Sequence, residues 1–257
     1  MTGRPLTIPS LEDAAAGVLY ALASSGKAMI VVGRDPGPAG VCLGEFPEAV
    51  LTVPGATARF AAAGGVRIAG RTAVVVLDRW ITDLRPALHT PRPNVLLTSC
   101  AAHLAAAHDA GLTVVQPGWP GDVEPLLRAA LDAPVPVLVR LHHRAAEVTP
   151  PGGRARLGVH RVLRRGRAGL VVGAGAGASA LVRVSAILTA RGVAVTAVET
   201  HTIRPASGID PARTGSALLV GPVTVEDARH LAEVPFGSVS PERLADAVQS
   251  AIARTVP

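Results

Sequence analysis

The stretch VAVTAVETHTIRPAS, residues 193–207, decides how the second half of this chain is read. From Val193 to Val198, β-branched residues alternate with small ones as in a strand; Glu199 ends the run, and a polar tail closes on Ile203, Arg204 and Pro205. Upstream lies VVGAGAG, residues 171–177. Its Gly173 and Gly175, with Ala178, fit the G-x-G-x-x-A turn that sets a helix N-terminus against a dinucleotide pyrophosphate, and Glu199 falls where an acid meets a ribose. A strand, a glycine turn, a helix and a strand are also what any parallel α/β unit needs to reverse closely. Two further strands at most follow Glu199, too few for a second mononucleotide half, which favours the plainer reading.

Outward from this stretch, strand and helix patterns alternate along the whole chain. Ser10 and Asp13 form a capping-box start for a small-residue helix that stops at Gly26. AMIVVG is a continuous apolar run, as a strand buried on both faces requires. Then come strands at 49–53, 72–77, 94–99, 112–117 and 134–141, with helices around 57–64, from Cys100 to Ala110 and from Asp122 to Asp132. The segment AAEVTPPGGRARLG is rich in proline and glycine and without period, which marks a linker. After it come AGLVVGA, a helix, the opening stretch, ALLVG and a last helix with Ser240 as cap and Pro241 at its first position. The pattern predicts an α/β protein of two domains, each a mostly parallel sheet flanked by helices, over residues 1–145 and 161–257 with a linker at 146–160.

Composition narrows the function classes. The 257 residues are 49% hydrophobic but only 2% aromatic, so the core is built from Ala, Val and Leu. The net charge of +6 comes from arginine, with Lys27 the single lysine, and no basic surface is studded with aromatics, which argues against nucleic acid. No run reaches membrane-spanning length and no apolar signal core opens the chain, so a cytoplasmic protein is expected. Cys42 and Cys100 lack metal-site or C-x-x-C spacing and are expected to be reduced thiols.

GRARLGVHRVLRRGRAGLVVGAGAGASALVRVSAILTARGVAVTAVETHTIRPAS resembles the C-terminal domain of the transketolase superfamily, as in the pyruvate dehydrogenase beta chain and deoxyxylulose-phosphate synthase. The family's D-L-R-T-I-K-P-L-D turn reads here as Glu199 to Ser207, and ALLVGPVTVEDA with Glu226 is similar to its next strand. Upstream, GLTVVQPGWPGDVEPLLRAALDAPVPVLVRL is similar to the end of the family's pyrimidine-binding domain, with its Pro, helix-starting Asp and strand-closing Arg. The resemblance runs over roughly residues 45 to 230. It implies the beta-type half of a split, thiamin diphosphate-dependent enzyme that transfers a two-carbon ketol or acyl unit of a small-molecule substrate. No G-D-G…N motif is present, so the diphosphate and Mg²⁺ ligands are expected in an alpha-type partner, in an α2β2 assembly. The alternatives are a catalytically silent structural or regulatory partner of such an enzyme and, less favoured, a nicotinamide-dependent oxidoreductase.

The resemblance also points to site residues. The family glutamate that activates the aminopyrimidine falls within VPGATARFAAAGG, residues 53–65, which contains no acid. Anchoring on Pro54 places Thr57 at that position, and anchoring on Gly65 places Ala56 there. Neither does the work of a carboxylate, which leaves a substitute group such as Glu45 or Glu48, an acid from the partner, or a degenerate scaffold. Trp80 stands where the family packs an aromatic on the pyrimidine, and also suits an anchor for the following helix. His103 is the nearer match to the family's substrate-handling histidine, with His108 behind it, although both suit the surface of a helix. His142 and His143 end a strand on the side where parallel sheets bind ligands. The six arginines from Arg154 to Arg167 read as solvated charge or as a docking surface for an acidic partner or phosphorylated substrate, and Arg204 as an interface residue.

Overall fold

The computed structural model describes residues 10–89, 91–142, 153–204, 217–221, 232–235 and 240–255. His143, Glu226, the end of the opening stretch from Pro205, and residues 146–152 of the expected linker lie outside these residues. The elements run α1 (Leu11–Ser24), β1 (Ala28–Val32), α2 (Gly40–Glu45), β2 (Val50–Thr52), α3 (Ala56–Ile68), β3 (Thr72–Val76), β4 (Val95–Thr98), α4 (Ala102–Asp109), β5 (Thr113–Val115), α5 (Pro120–Leu131) and β6 (Val137–Arg140). They continue with β7 (Arg161–Arg164), β8 (Leu170–Gly173), α6 (Ala176–Ala190), β9 (Thr196–Glu199), β10 (Thr202–Ile203), β11 (Ala217–Gly221), β12 (Ala232–Pro235) and α7 (Pro241–Thr255).

Two sheets form. The first has the order β10-β5-β6-β4-β3-β1-β2 and is parallel except where β10 joins β5 antiparallel. Its strands alternate faces residue by residue. Val74 and Val76 enter the core under α1 and α5, while Ala73, Val75 and Leu77 enter the core under α3 and α4. The capping box at Ser10 is present in both directions, so α1 begins where its sequence says.

The second sheet, β12-β11-β8-β9-β7, is α/β in its layers but mixed in direction, since only β8 and β9 pair parallel. α6 and α7 cover one face through Leu181, Val184, Leu188, Leu244 and Val248. The other face, with Leu170, Val172, Val198 and Leu219, enters the same core as Phe60, Leu96 and Leu104 of the first sheet. Burial on both faces explains why β8 is apolar throughout.

The opening stretch is the crossover between the two sheets. β9 ends at Glu199, Thr200 to Thr202 pass through the interior, and β10 then adds an edge to the first sheet, with Gln116 N–H bonded to the His201 carbonyl at 2.8 Å. A two-residue strand has no period to read; it exists because β5 offers it an edge.

Candidate functional site

Four parallel strands bring their carboxyl ends to one side of the first sheet, where the crevices of α/β proteins bind ligands. There a cavity of about 680 Å³ opens. Arg34 and Asp35 follow β1, Pro54 and Gly55 lead into Ala56 and Arg59 of α3, Leu77 to Ile81 follow β3, and Ser99 and Cys100 follow β4. Ala56 and Trp80, both expected here, line the cavity. Thr57, one residue on, is exposed and is not part of the lining, so of the two positions read for the missing acid only Ala56 faces the cavity. Glu45 and Glu48 are exposed and do not line it either.

The cavity floor holds an ion pair that sequence reading passed over. Arg59 Nη2 lies 2.5 Å from Asp78 Oδ2, and Arg59 Nη1 donates to the Val76 carbonyl at 3.3 Å. Arg59 is 3% exposed, which is tolerable for a guanidinium only with a partner this close. Gly33 makes the pair possible: a Cβ there would meet Arg59 Cζ at 2.7 Å and press on both Asp78 oxygens. The available signal was an acid directly after the strand, in VVVLD, and an arginine beside Phe60 on the buried face of α3.

His103 is buried rather than on the helix surface, and it is not part of the cavity lining. Its Nδ1 sits 2.6 Å from Thr98 Oγ1, which also accepts the Cys100 N–H at 2.9 Å. Burial lowers the His103 pKa below the usual imidazole value, against the opposing backbone of Ile81 and Asp78. His108 is half-buried on α4. His142 is buried with Nε2 3.1 Å from the Pro117 carbonyl oxygen.

The glycine turn faces protein, not open space. Gly175 has φ +50, which favours glycine, and a Cβ on it would meet Gln116 Oε1 and His142 Cδ2, each at 3.3 Å. A Cβ on Gly118 would meet Ala178 Cβ and Glu199 Oε1, each at 2.8 Å. Glu199 is fully buried and accepts from Arg161 Nε at 2.7 Å, while the Arg161 guanidinium also grips both oxygens of Asp122 and stacks on Trp119. The acid read as a possible ribose ligand is thus one arm of a buried cluster joining β7, β9 and α5. Burial raises the Glu199 pKa to about 7, helped by Asp122 and opposed by Arg161. Arg204 is exposed, its guanidinium beside Gly158. Of the six arginines from 154 to 167, only Arg161 is buried.

Among the described residues no group of His, Cys, Asp and Glu is placed to hold a metal ion, and no helix is long and apolar enough to cross a membrane. Cys42 and Cys100 are free thiols.

Neither the family models nor the curated proteins match this sequence. Solved structures do. A chain described as a split-gene transketolase, inactive beta4 tetramer, aligns with TM-score 0.64 at 18% identity, covering 80% of this chain and 78% of that one. Transketolase from Campylobacter jejuni subsp. jejuni NCTC 11168 aligns with TM-score 0.61 at 14% identity, covering 80% of this chain and 37% of that one. Transketolase from Leishmania mexicana gives TM-score 0.61 at 15% identity, covering 76% of this chain and 36% of that one. The fold is therefore transketolase-like, as the order of motifs implied, and the chain spans about a third of the length of the last two proteins.

Proposed function

We propose that this chain is a catalytically silent, beta-type partner in a split transketolase-like assembly, with residues 1–145 and 161–257 as its pyrimidine-domain-like and C-terminal-domain-like parts. The observation that carries this reading is the lining of the cavity. Ala56, where the alignment anchored on Gly65 puts the family's carboxylate, lines it together with Arg34 and Arg79, which make no ion pair among the described residues. A carboxylate would favour a proton on the aminopyrimidine, whereas guanidinium groups oppose one. The residues present therefore do not fit acid-assisted activation of thiamin diphosphate. The likeness to a structure described as an inactive beta4 tetramer supports the same reading. An alpha-type chain would hold the thiamin diphosphate and Mg²⁺, and this chain would shape or stabilise that partner.

A catalytic reading has two lining carboxylates in its favour: Asp35, whose Oδ1 accepts the Gly37 N–H, and Asp78, whose Oδ1 is buried without a hydrogen bond. The other oxygen of Asp78 is committed to Arg59, which speaks against Asp78 as a free proton relay.

Affinity capture from the native extract, followed by thiamin diphosphate titration of the recovered complex, tests the proposal. The expected result is a stoichiometric partner bearing a G-D-G…N motif and a cofactor affinity that Trp80→Ala leaves unchanged. Recovery of the chain alone, or an affinity about tenfold weaker in the variant, a difference of about 1.4 kcal/mol, would overturn it.

A further inference from the structure

The same cavity is well made for a different ligand. Its volume of about 680 Å³ suits a small molecule. Arg59 is neutralised by Asp78, but Arg34 and Arg79 make no ion pair among the described residues. The remaining acid of the lining, Asp35, accepts the Gly37 N–H at 3.0 Å. The lining thus carries three guanidinium groups against two carboxylates.

A second source of positive potential is built into the backbone. α3 is 13 residues long, its N-cap is Gly55 with no side-chain cap, and its first turn holds no acid. Its first N–H groups lack the usual side-chain acceptor, and Pro54, Gly55 and Ala56 at this end line the cavity. Beside them stands a flat surface. Trp80 is 75% exposed, and the Arg79 guanidinium lies 4.1 Å from its ring centroid. An indole left this open, carrying a cation and facing a cavity, is a stacking platform without its ring.

We propose that the cavity binds an anion carried on a small planar ring, such as an aromatic carboxylate or a single-ring nucleotide monophosphate. The acidic group lies against the N-terminus of α3 with Arg34 and Arg79, and the ring stacks on Trp80. Arg59 and Asp78 form the fixed floor. The inference rests on the silent-subunit reading in one respect: the cavity is not reserved for an activated aminopyrimidine.

Trp80 reports on its own site, because Trp119, the other tryptophan, is buried. The test is fluorescence titration of the full chain with benzoate, uridine monophosphate, uridine, inorganic phosphate and thiamin. Saturable quenching by benzoate or the nucleotide is expected, with uridine and phosphate at least about tenfold weaker. Whichever of the two anions binds more tightly identifies the source of the acid group. Arg34→Gln with Arg79→Gln should weaken binding at least about tenfold without moving Tm, since both side chains are exposed, and Trp80→Phe should abolish the signal. No saturation by any anion, equal affinity for uridine and its monophosphate, or binding unaltered in the double arginine variant would overturn the proposal. Those results leave the silent-subunit reading standing. Tight binding of cationic thiamin, lost in Trp80→Ala, would overturn both.

Discussion

Arg59 and Arg161 are both buried guanidinium groups, but they meet different company. Arg59 has one carboxylate, Asp78, and lines an open cavity. Arg161 has two, Asp122 and Glu199, reached from separate elements, and it also donates to the Gly153 carbonyl at 2.9 Å. The first pair neutralises a floor and leaves the cavity around it usable. The second draws a helix start and two strands of the other sheet onto one cation, so it sits in the seam between the sheets. A buried ion pair is weak evidence for stability in itself, but removing one partner is costly because the other is left charged and dry. The number of carboxylates left behind therefore ranks the two sites.

The largest effect is expected at the seam. Arg161→Met leaves two buried acids facing each other and should cost about 3 to 5 kcal/mol in urea or thermal unfolding. Adding Asp122→Asn and Glu199→Gln to that variant should recover part of the loss. A loss below about 1 kcal/mol would mean that the cluster holds little of the seam together. Next comes the cavity floor: Gly33→Ala forces a methyl group into the Arg59–Asp78 pair and should cost about 1 to 3 kcal/mol, the usual range for overpacking. A neutral result would show that the pair moves aside freely and is no fixed floor.

Smallest when read per pH unit is the effect that separates the sites by pH. In the folded protein the Glu199 pKa stands at about 7, above its usual 4.5, so between these values the folded state binds more protons than the unfolded one. Stability at the seam is then fully present at the acidic end of that window and falls as pH rises through it, with a slope of at most about 1.4 kcal/mol per pH unit. Glu199→Gln should flatten the profile, measured by urea unfolding between pH 5 and pH 8. A profile that rises with pH in the parent protein would reverse the assignment and make Glu199 a carboxylate held ionised by Arg161.

Much of the first sheet was legible because its signals are local. The alternation in TAVVVL, the capping box at Ser10 and the apolar run AMIVVG each describe one element's own backbone and burial, and β3, α1 and β1 appear where they say. The second sheet was less legible. β7 lies in an arginine-rich stretch and β12 has no clear alternation; each exists because a neighbour, β9 or β11, offers an antiparallel edge. At the site, Ala56 and Trp80 were reachable by aligning motifs along the chain. Arg59 and Asp78 were not, since nothing at a spacing of 19 residues announces an ion pair.

The opening stretch shows the division most clearly. From its residues alone, a strand ending on an acid after a glycine turn was readable, and so was the likeness of the following turn to a transketolase-like C-terminal domain, because strand periodicity and turn chemistry are properties of consecutive residues. What Glu199 does was settled only by folding. Arg161, 38 residues earlier, and Asp122, 39 residues before that arginine, converge on it across the seam, and Gly118 and Gln116 occupy the space over the glycine turn. A carboxylate takes its role from the charges within a few ångströms, and those come from parts of the chain that its own sequence neighbourhood does not contain.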